Sequence, residues 1–432
     1  MNRKHLSAGA ALSIVLALTA GCGAEEGGDV KGESSQSAGA VRRPVVAGMF
    51  YPGDPDELAA EIDAYIEAAD AKPVGGHIYG LIAPHAGYVY SGGVAAEAYA
   101  SLSGRSYDAV IVVAPSHRVA FSGASVYGGD GYETPLGVVP VDRDLADAIR
   151  DASRGIDYDP RAHASEHSLE VQVPFLQRTL GPFSIVPIVM GEQSEAGARV
   201  LASAIAAAVR GAAGREVLLV ASTDLSHYHD QATAVELDSH VLEAVADFDP
   251  EGLLASLARG ECEACGGGPA ATVMMAAREL GADRSDVVGY ATSGDVTGDK
   301  RQVVGYMAAV LSGGDPGSPE PGTRGGRSAE DRDEASGSGE GVSDKGGEPS
   351  VRPYEGLNGE ERATLLALAR RSIAAALRGE GTPEAEMTSP ALRAECGAFV
   401  TLEKRGALRG CIGYIRGVKP LAETVADMAV EA

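Results

Sequence analysis

Three apolar runs in this sequence end in side chains that can bind a metal or move a proton. Leu81-Ile82-Ala83-Pro84 leads into His85-Ala86-Gly87-Tyr88, and Val110-Ile111-Val112-Val113-Ala114-Pro115 leads into Ser116-His117. Val217-Leu218-Leu219-Val220-Ala221 leads into Ser222-Thr223-Asp224-Leu225-Ser226-His227. In open α/β sheets, ligands bind beyond the carboxyl ends of the strands. One such histidine alone reads more simply as a structural or surface residue. His85, His117 and His227 together, each beyond a strand end, point to a site. Pro84 and Pro115 lack a backbone N–H, so each stops the ladder and stiffens the turn that follows. A stiff turn helps fix the direction of a ligand, although a Pro that merely ends a strand has the same signature.

Cys265 adds a fourth element. It stands in Cys262-Glu263-Ala264-Cys265-Gly266-Gly267-Gly268-Pro269, just before a helical pattern from Ala270. Proximity to a helix N-terminus favours the thiolate, the form that attacks or binds metal. The glycines let backbone approach a ligand closely. Cys262 and Cys265 form a C-x-x-C, and a disulfide, a redox pair and a metal pair all remain open. Glu166-His167-Ser168-Leu169-Glu170 forms another polar group at an expected helix start. The helix dipole alone explains Glu166, whereas His167 and Glu170 at i and i+3 could share a face toward a pocket.

The elements that position these residues alternate. Buried strands are expected at Ile78–Ala83, Ala109–Ala114, Ser184–Val189, Val217–Ala221, Val287–Ala291 and Val303–Val310. Helices are expected at Ala196–Val209, Ala234–Ala246 and Ala270–Leu280, between some of them. Asp54-Pro55-Asp56-Glu57 opens a further helix, with Asp54 as cap and Pro55 in the first turn. The alternation predicts an α/β fold, with a central, largely parallel or mixed sheet flanked by helices. In the C-terminal part a helix is expected near Glu360–Leu377, then a strand at Ala398–Leu402.

The formal net charge is −25 over 432 residues, which argues against unspecific nucleic-acid binding, since that needs a basic face. The N-terminus reads as a processing signal. Arg3 and Lys4 precede the short apolar run Leu12–Leu18, followed by Leu18-Thr19-Ala20-Gly21-Cys22. The apolar run is too short for an ordinary membrane span. Small residues before a cysteine resemble a bacterial lipoprotein cleavage site, with Cys22 the lipidated first residue of the mature chain. A plain signal peptide or an uncleaved anchor is the simpler alternative. The expected organisation is a signal over 1–22, a polar tether over 23–40 and a globular domain over 41–312. A Gly/Ser/Pro/Asp/Glu-rich linker follows over 313–350, then a second piece over 351–432. The mature body would be membrane-anchored, on the periplasmic or cell-surface side.

Read together, these motifs resemble the Memo family. The resemblance rests on Ala47-Gly48-Met49-Phe50-Tyr51-Pro52 with Asp54-Pro55, on Pro84-His85-Ala86-Gly87-Tyr88 and on Pro115-Ser116-His117. It continues through Glu166-His167-Ser168-Leu169-Glu170, Ser222-Thr223-Asp224-Leu225-Ser226-His227 and Ala264-Cys265-Gly266. Gly397-Ala398-Phe399-Val400-Thr401-Leu402 and Leu408-Arg409-Gly410-Cys411-Ile412-Gly413 resemble the start of an AMMECR-type domain. The chain stops at Ala432, short of what that family usually contains, so a partial α+β domain is expected. The two families recur with a radical-SAM protein in the AmmeMemoRadiSam system. Such a partner belongs in the reducing cytoplasm, at odds with the export signal, whose three regions have the more direct physical reading.

The Memo fold is similar to that of extradiol-type, non-haem iron dioxygenases. The resemblance implies that His85, His117 and Cys265 hold a metal, that His227 is an acid/base group and that Asp224 orients it. Two imidazoles and a thiolate suit copper, iron or zinc better than hard cations, so ring cleavage is not carried over. A metal-dependent oxidoreductase using iron or copper on an unknown small-molecule substrate is the leading expectation. The alternatives are a zinc-dependent hydrolase, or one using Ser226, His227 and Asp224, and a non-catalytic binding module on an enzyme-like fold.

Overall fold

The computed structural model describes residues 12–19, 41–70, 74–314 and 357–431, apart from 379, 384, 386, 388, 395, 396, 405, 406 and 415–418. Cys22, the tether and the expected linker beyond Gly314 lie outside the described residues.

Continuous β-branched and aliphatic runs build the centre of the larger body. We label its main strands β1 (His77–Ala83), β2 (Ala109–Pro115), β3 (Ser184–Met190), β4 (Val217–Ser222), β5 (Arg284–Thr292) and β6 (Val303–Gly313). β1, β4, β2 and β3 lie side by side in that order, all parallel. β6 joins antiparallel on the β1 side, and β5 pairs antiparallel with β6. Short strands Ala124–Val126 and Ile156–Asp157 extend the far edge, while His227–His229 pairs with the start of β6. The sheet is therefore mixed, with a parallel core.

Both faces of that core are covered, which is why its strands read as unbroken apolar runs. Period-two alternation divides the side chains between two clusters. Ile82, Ile111, Val113, Val186, Ile188, Leu219 and Ala221 pack on one side against helices α3 (Glu195–Gly211) and α4 (Gly267–Leu280). Leu81, Val110, Val112, Ile185, Leu218 and Val220 pack on the other against α1 (Pro55–Ala68) and Tyr88–Ala100. The same second layer includes α2 (Gln172–Thr179). Each fully buried Val, Leu or Ile contributes roughly 1.5–3 kcal/mol, so the parallel strands form a rigid platform. Asp54 caps α1 as its residue type predicts, accepting from Asp56 N at 2.9 Å and Glu57 N at 3.0 Å.

One expectation is corrected. Glu166–Glu170 does not begin a helix; it lies in turns before α2. Ser168 donates to Glu166 through both its backbone N–H and its hydroxyl, at 2.9 and 2.7 Å, and such local bonds compete with helix formation. Of the readings left open at Cys262 and Cys265, the disulfide is not formed: both are free thiols. The C-terminal body pairs helices Gly359–Leu377 and Leu421–Glu431 around Leu365, Leu368, Leu392, Val400 and Val425. Its sheet comprises Gly397–Lys404 and Ala407–Tyr414, with Leu12–Thr19 antiparallel to the first. The side chains of Arg409 and Cys411 lie outside the described residues.

Candidate metal centre

The site forms where three adjacent parallel strands end. β1 ends two residues before His85, β4 ends at Ser222, and β2 ends two residues before His117. Thr223 N donates to Ala83 O at 3.0 Å, and His85 N donates to Asp224 Oδ1 at 2.7 Å, so the turns after β1 and β4 are tied together. The loop carrying Cys265 is bonded to the same turn. Cys265 N donates to Asp224 O at 3.2 Å, and Gly266 N donates to Thr223 Oγ1 at 3.0 Å. Only glycine fits at 266, since a Cβ there would lie 2.1 Å from Ser222 O.

This framework gathers His85, His117 and Cys265, whose ligand atoms all lie within 4.8 Å of one another. Cys265 Sγ is 3.1 Å from His85 Nε2 and receives a hydrogen bond from Asp224 N at 3.2 Å. The hydrogen-bond partners determine which ring nitrogen is bare. The Ser222 hydroxyl donates to Ser168 O at 2.6 Å and accepts from Gln172 Nε2 at 2.8 Å. Its one proton is thus committed, so at 2.9 Å His85 Nδ1 must be the donor. His85 Nε2 is left with its lone pair toward Cys265. His117 Nδ1 meets Glu166 Oε1 at 2.9 Å; a carboxylate only accepts, so Nδ1 carries a proton and Nε2 is the second nitrogen left to face a metal. Carboxylate and hydroxyl partners of this kind are what metal-binding imidazoles use to fix their tautomer.

Charge and burial reinforce the arrangement. Burial pushes the Cys265 thiol up, but His85 and His117 outweigh it and bring it down to about 7. Burial disfavours the His117 cation, yet Cys265 and Glu166 together raise it to about 10. Burial alone would raise Glu166; His117 and His167 hold it well below the ordinary carboxylate range. The thiol and the His117 ring thus favour each other's charged forms across one contact, where a cation can take the place of the proton between them.

The remaining expected residues divide. Asp224 is buried and holds the His85 backbone, with Oδ2 3.9 Å from His85 Nε2; burial raises its carboxyl, countered by His227 and the His85 N–H. His227 donates from Nδ1 to Leu225 O at 2.7 Å, which leaves Nε2 bare. It is followed by Tyr228 at φ 63°, a left-handed conformation that disfavours a bulky side chain. Ser226 is fully buried, and its N–H donates to Asp238 at 2.9 Å; among the described residues no hydrogen bond joins its hydroxyl to His227. The Ser226/His227/Asp224 relay is therefore not assembled. His167 joins the cluster through its ring, 4.8 Å from His117 and 5.7 Å from His85 by centroid, with Phe50 packed at 4.9 Å.

Glu170 is committed elsewhere. It pairs with Arg42 at 2.6 Å, both side chains fully buried, and accepts from Tyr51 OH at 2.6 Å and from Val45 N and Val46 N. It anchors the N-terminal segment. Sequence reasoning missed Ser222 and Gln172 as the supports of His85. Ser222 stands in a motif the sequence reading singles out; a glutamine on a helix carries no comparable signal.

Comparison with known proteins agrees with this geometry. Residues 42–310 match the family described as Memo-like protein, and residues 366–432 match AMMECR1. A MEMO1 family protein of Methanothermobacter thermautotrophicus is 42% identical over 273 residues, covering 62% of this chain and 98% of that protein. One from Thermotoga maritima is 39% identical over 285 residues, covering 62% of this chain and 99% of its own. With strand ends, histidines and Cys265 arranged as described, this chain belongs to the Memo-like protein family.

Proposed function

We propose that the chain is a metal-dependent oxidoreductase acting on a small molecule, with iron or copper held by His85 Nε2, His117 Nε2 and Cys265 Sγ. One observation carries the reading: two imidazoles with their protons fixed on Nδ1 and one low-pKa thiol converge at adjacent strand ends. The donor set fits the metal, because imidazole and thiolate together suit copper, iron and zinc. When bound, iron or copper would supply one-electron chemistry that no side chain here provides. Three protein ligands leave room for a small molecule beside them.

The chain's own groups then have defined tasks. His227 Nε2, bare and part-exposed, accepts or returns a proton. Asp224, buried beside the strand end, accepts from the His85 backbone N–H and holds that turn in place. Gly266 and Thr223 keep the Cys265 loop against the strand end. The N-terminal segment supports export and lipid attachment at Cys22, which would tether the body to a membrane. Among the described residues no helix is long and apolar enough to cross one. A radical-SAM partner, suggested by the two-domain pairing, would have to meet the chain before export.

Cobalt(II) substitution tests the ligand set. The parent protein should develop sulfur-to-cobalt charge-transfer absorption. Cys265→Ser should abolish it, and Cys262→Ser should leave it intact. Equal loss in both variants would overturn the assignment in favour of a C-x-x-C site.

A further inference from the structure

A second group of potential ligands adjoins the first and shares the His117 ring. His117, Glu166 and His167 present ligand atoms that also lie within 4.8 Å of one another. Glu166 Oε1 is 2.9 Å from His117 Nδ1 and 3.5 Å from His167 Nδ1, so one carboxylate oxygen faces both imidazoles. Among the described residues, buried His167 Nδ1 makes no hydrogen bond, although it faces Glu166 Oε1 at 3.5 Å. A buried polar atom left unpartnered is costly, and a missing ion is one of the few explanations for it. The ring cannot easily turn away to find another partner, since Phe50, His85 and His117 pack around it.

We propose that His117 Nδ1, Glu166 and His167 Nδ1 form a second divalent-cation site, making a two-cation centre bridged by the His117 ring. Two imidazole nitrogens and one carboxylate oxygen suit borderline cations such as zinc(II), iron(II) or cobalt(II). The second set contains no sulfur, so the two positions differ in softness. The thiolate position prefers the softer ion, and the carboxylate position accepts the harder one. Binding at the second position displaces the proton held between His117 and Glu166 to solvent, as ligand deprotonation requires. The inference rests on the first site as proposed above, because the two share His117.

Titration of the metal-free full chain with cobalt(II) separates the two sites. Wild type should take two equivalents, the first with sulfur charge-transfer absorption and the second with ligand-field bands only. His167→Ala should fall to one equivalent and keep the sulfur band. His167→Gln provides a second variant of closer volume, and near-UV circular dichroism checks that both fold. Cys265→Ser should keep one equivalent without sulfur absorption, and Cys265→Ser/His167→Ala should keep none. A single equivalent in wild type with the sulfur band present would overturn the second site while sparing the first. Two equivalents retained by folded His167 variants would also overturn it. Absence of the sulfur band from wild type would instead sink the first site.

Discussion

Glu166→Gln is the most informative single substitution for how the centre is held. The carboxylate is about 1% exposed and accepts four hydrogen bonds. Oε1 takes His117 Nδ1 at 2.9 Å, Ser168 N at 2.9 Å and Ser168 Oγ at 2.7 Å; Oε2 takes His117 N at 2.6 Å. All these partners donate, so glutamine cannot satisfy the site in either amide orientation. The better orientation keeps its carbonyl oxygen at the Oε1 position and sets its NH2 against the His117 N–H. One buried donor is then unpaired, at a cost of about 1–3 kcal/mol. The charge-assisted bond to His117 is also reduced to a neutral one. Loss of such an outer partner typically weakens metal affinity 10–100-fold, or about 1.4–2.8 kcal/mol. Competition with a chromophoric chelator should show that loss at the sulfur-bearing site, with the charge-transfer band still formed at saturation. Affinity within about twofold of wild type, in a variant that folds, would refute the role given to Glu166.

Further predictions concern the loop, the thiol and the anchor. Gly266→Ala should displace the Cys265 loop, since the new Cβ would sit 2.1 Å from Ser222 O. An overpacking cost of about 1–3 kcal/mol should appear as weakened metal binding beyond any fall in the urea midpoint; unchanged affinity would mean the loop adapts. In metal-free protein, iodoacetamide modification of Cys265 should rise with pH to a plateau, with its midpoint at about 7. The direction follows because the thiolate is the reactive form and its fraction grows as pH passes the thiol's pKa. Cys262, buried and pushed up, should react far more slowly, and a Cys265 midpoint near the ordinary thiol value would contradict the imidazole contacts. Glu170→Gln strands the fully buried Arg42 and should cost about 3–5 kcal/mol, read as a lower urea midpoint, whereas a midpoint near wild type would show that Arg42 finds other partners.

Much of the platform was legible because parallel strands buried on both faces leave continuous apolar runs. The expected Ile78–Ala83, Ala109–Ala114, Ser184–Val189 and Val217–Ala221 lie within β1 to β4. His85, His117 and Cys265 were legible through position and family resemblance, and the structure brings them together. The helix expected at Glu166–Glu170 was not, because local side-chain bonds from Ser168 replace helical ones. The partition of that motif was also hidden. Glu166 turns to His117, while Glu170 turns to Arg42, a contact 128 positions apart that no local pattern encodes. Short strands such as Ala124–Val126 carry too few residues for periodicity to register.

Elemental analysis of the anaerobically purified full chain, beside the His85→Ala/His117→Ala double variant, tests the central claim most directly. Near-stoichiometric or higher iron or copper in the parent, absent from a variant that folds, is the predicted result. Zinc alone would move the reading to hydrolysis, and equal metal content in parent and variant would contradict a centre built on His85 and His117.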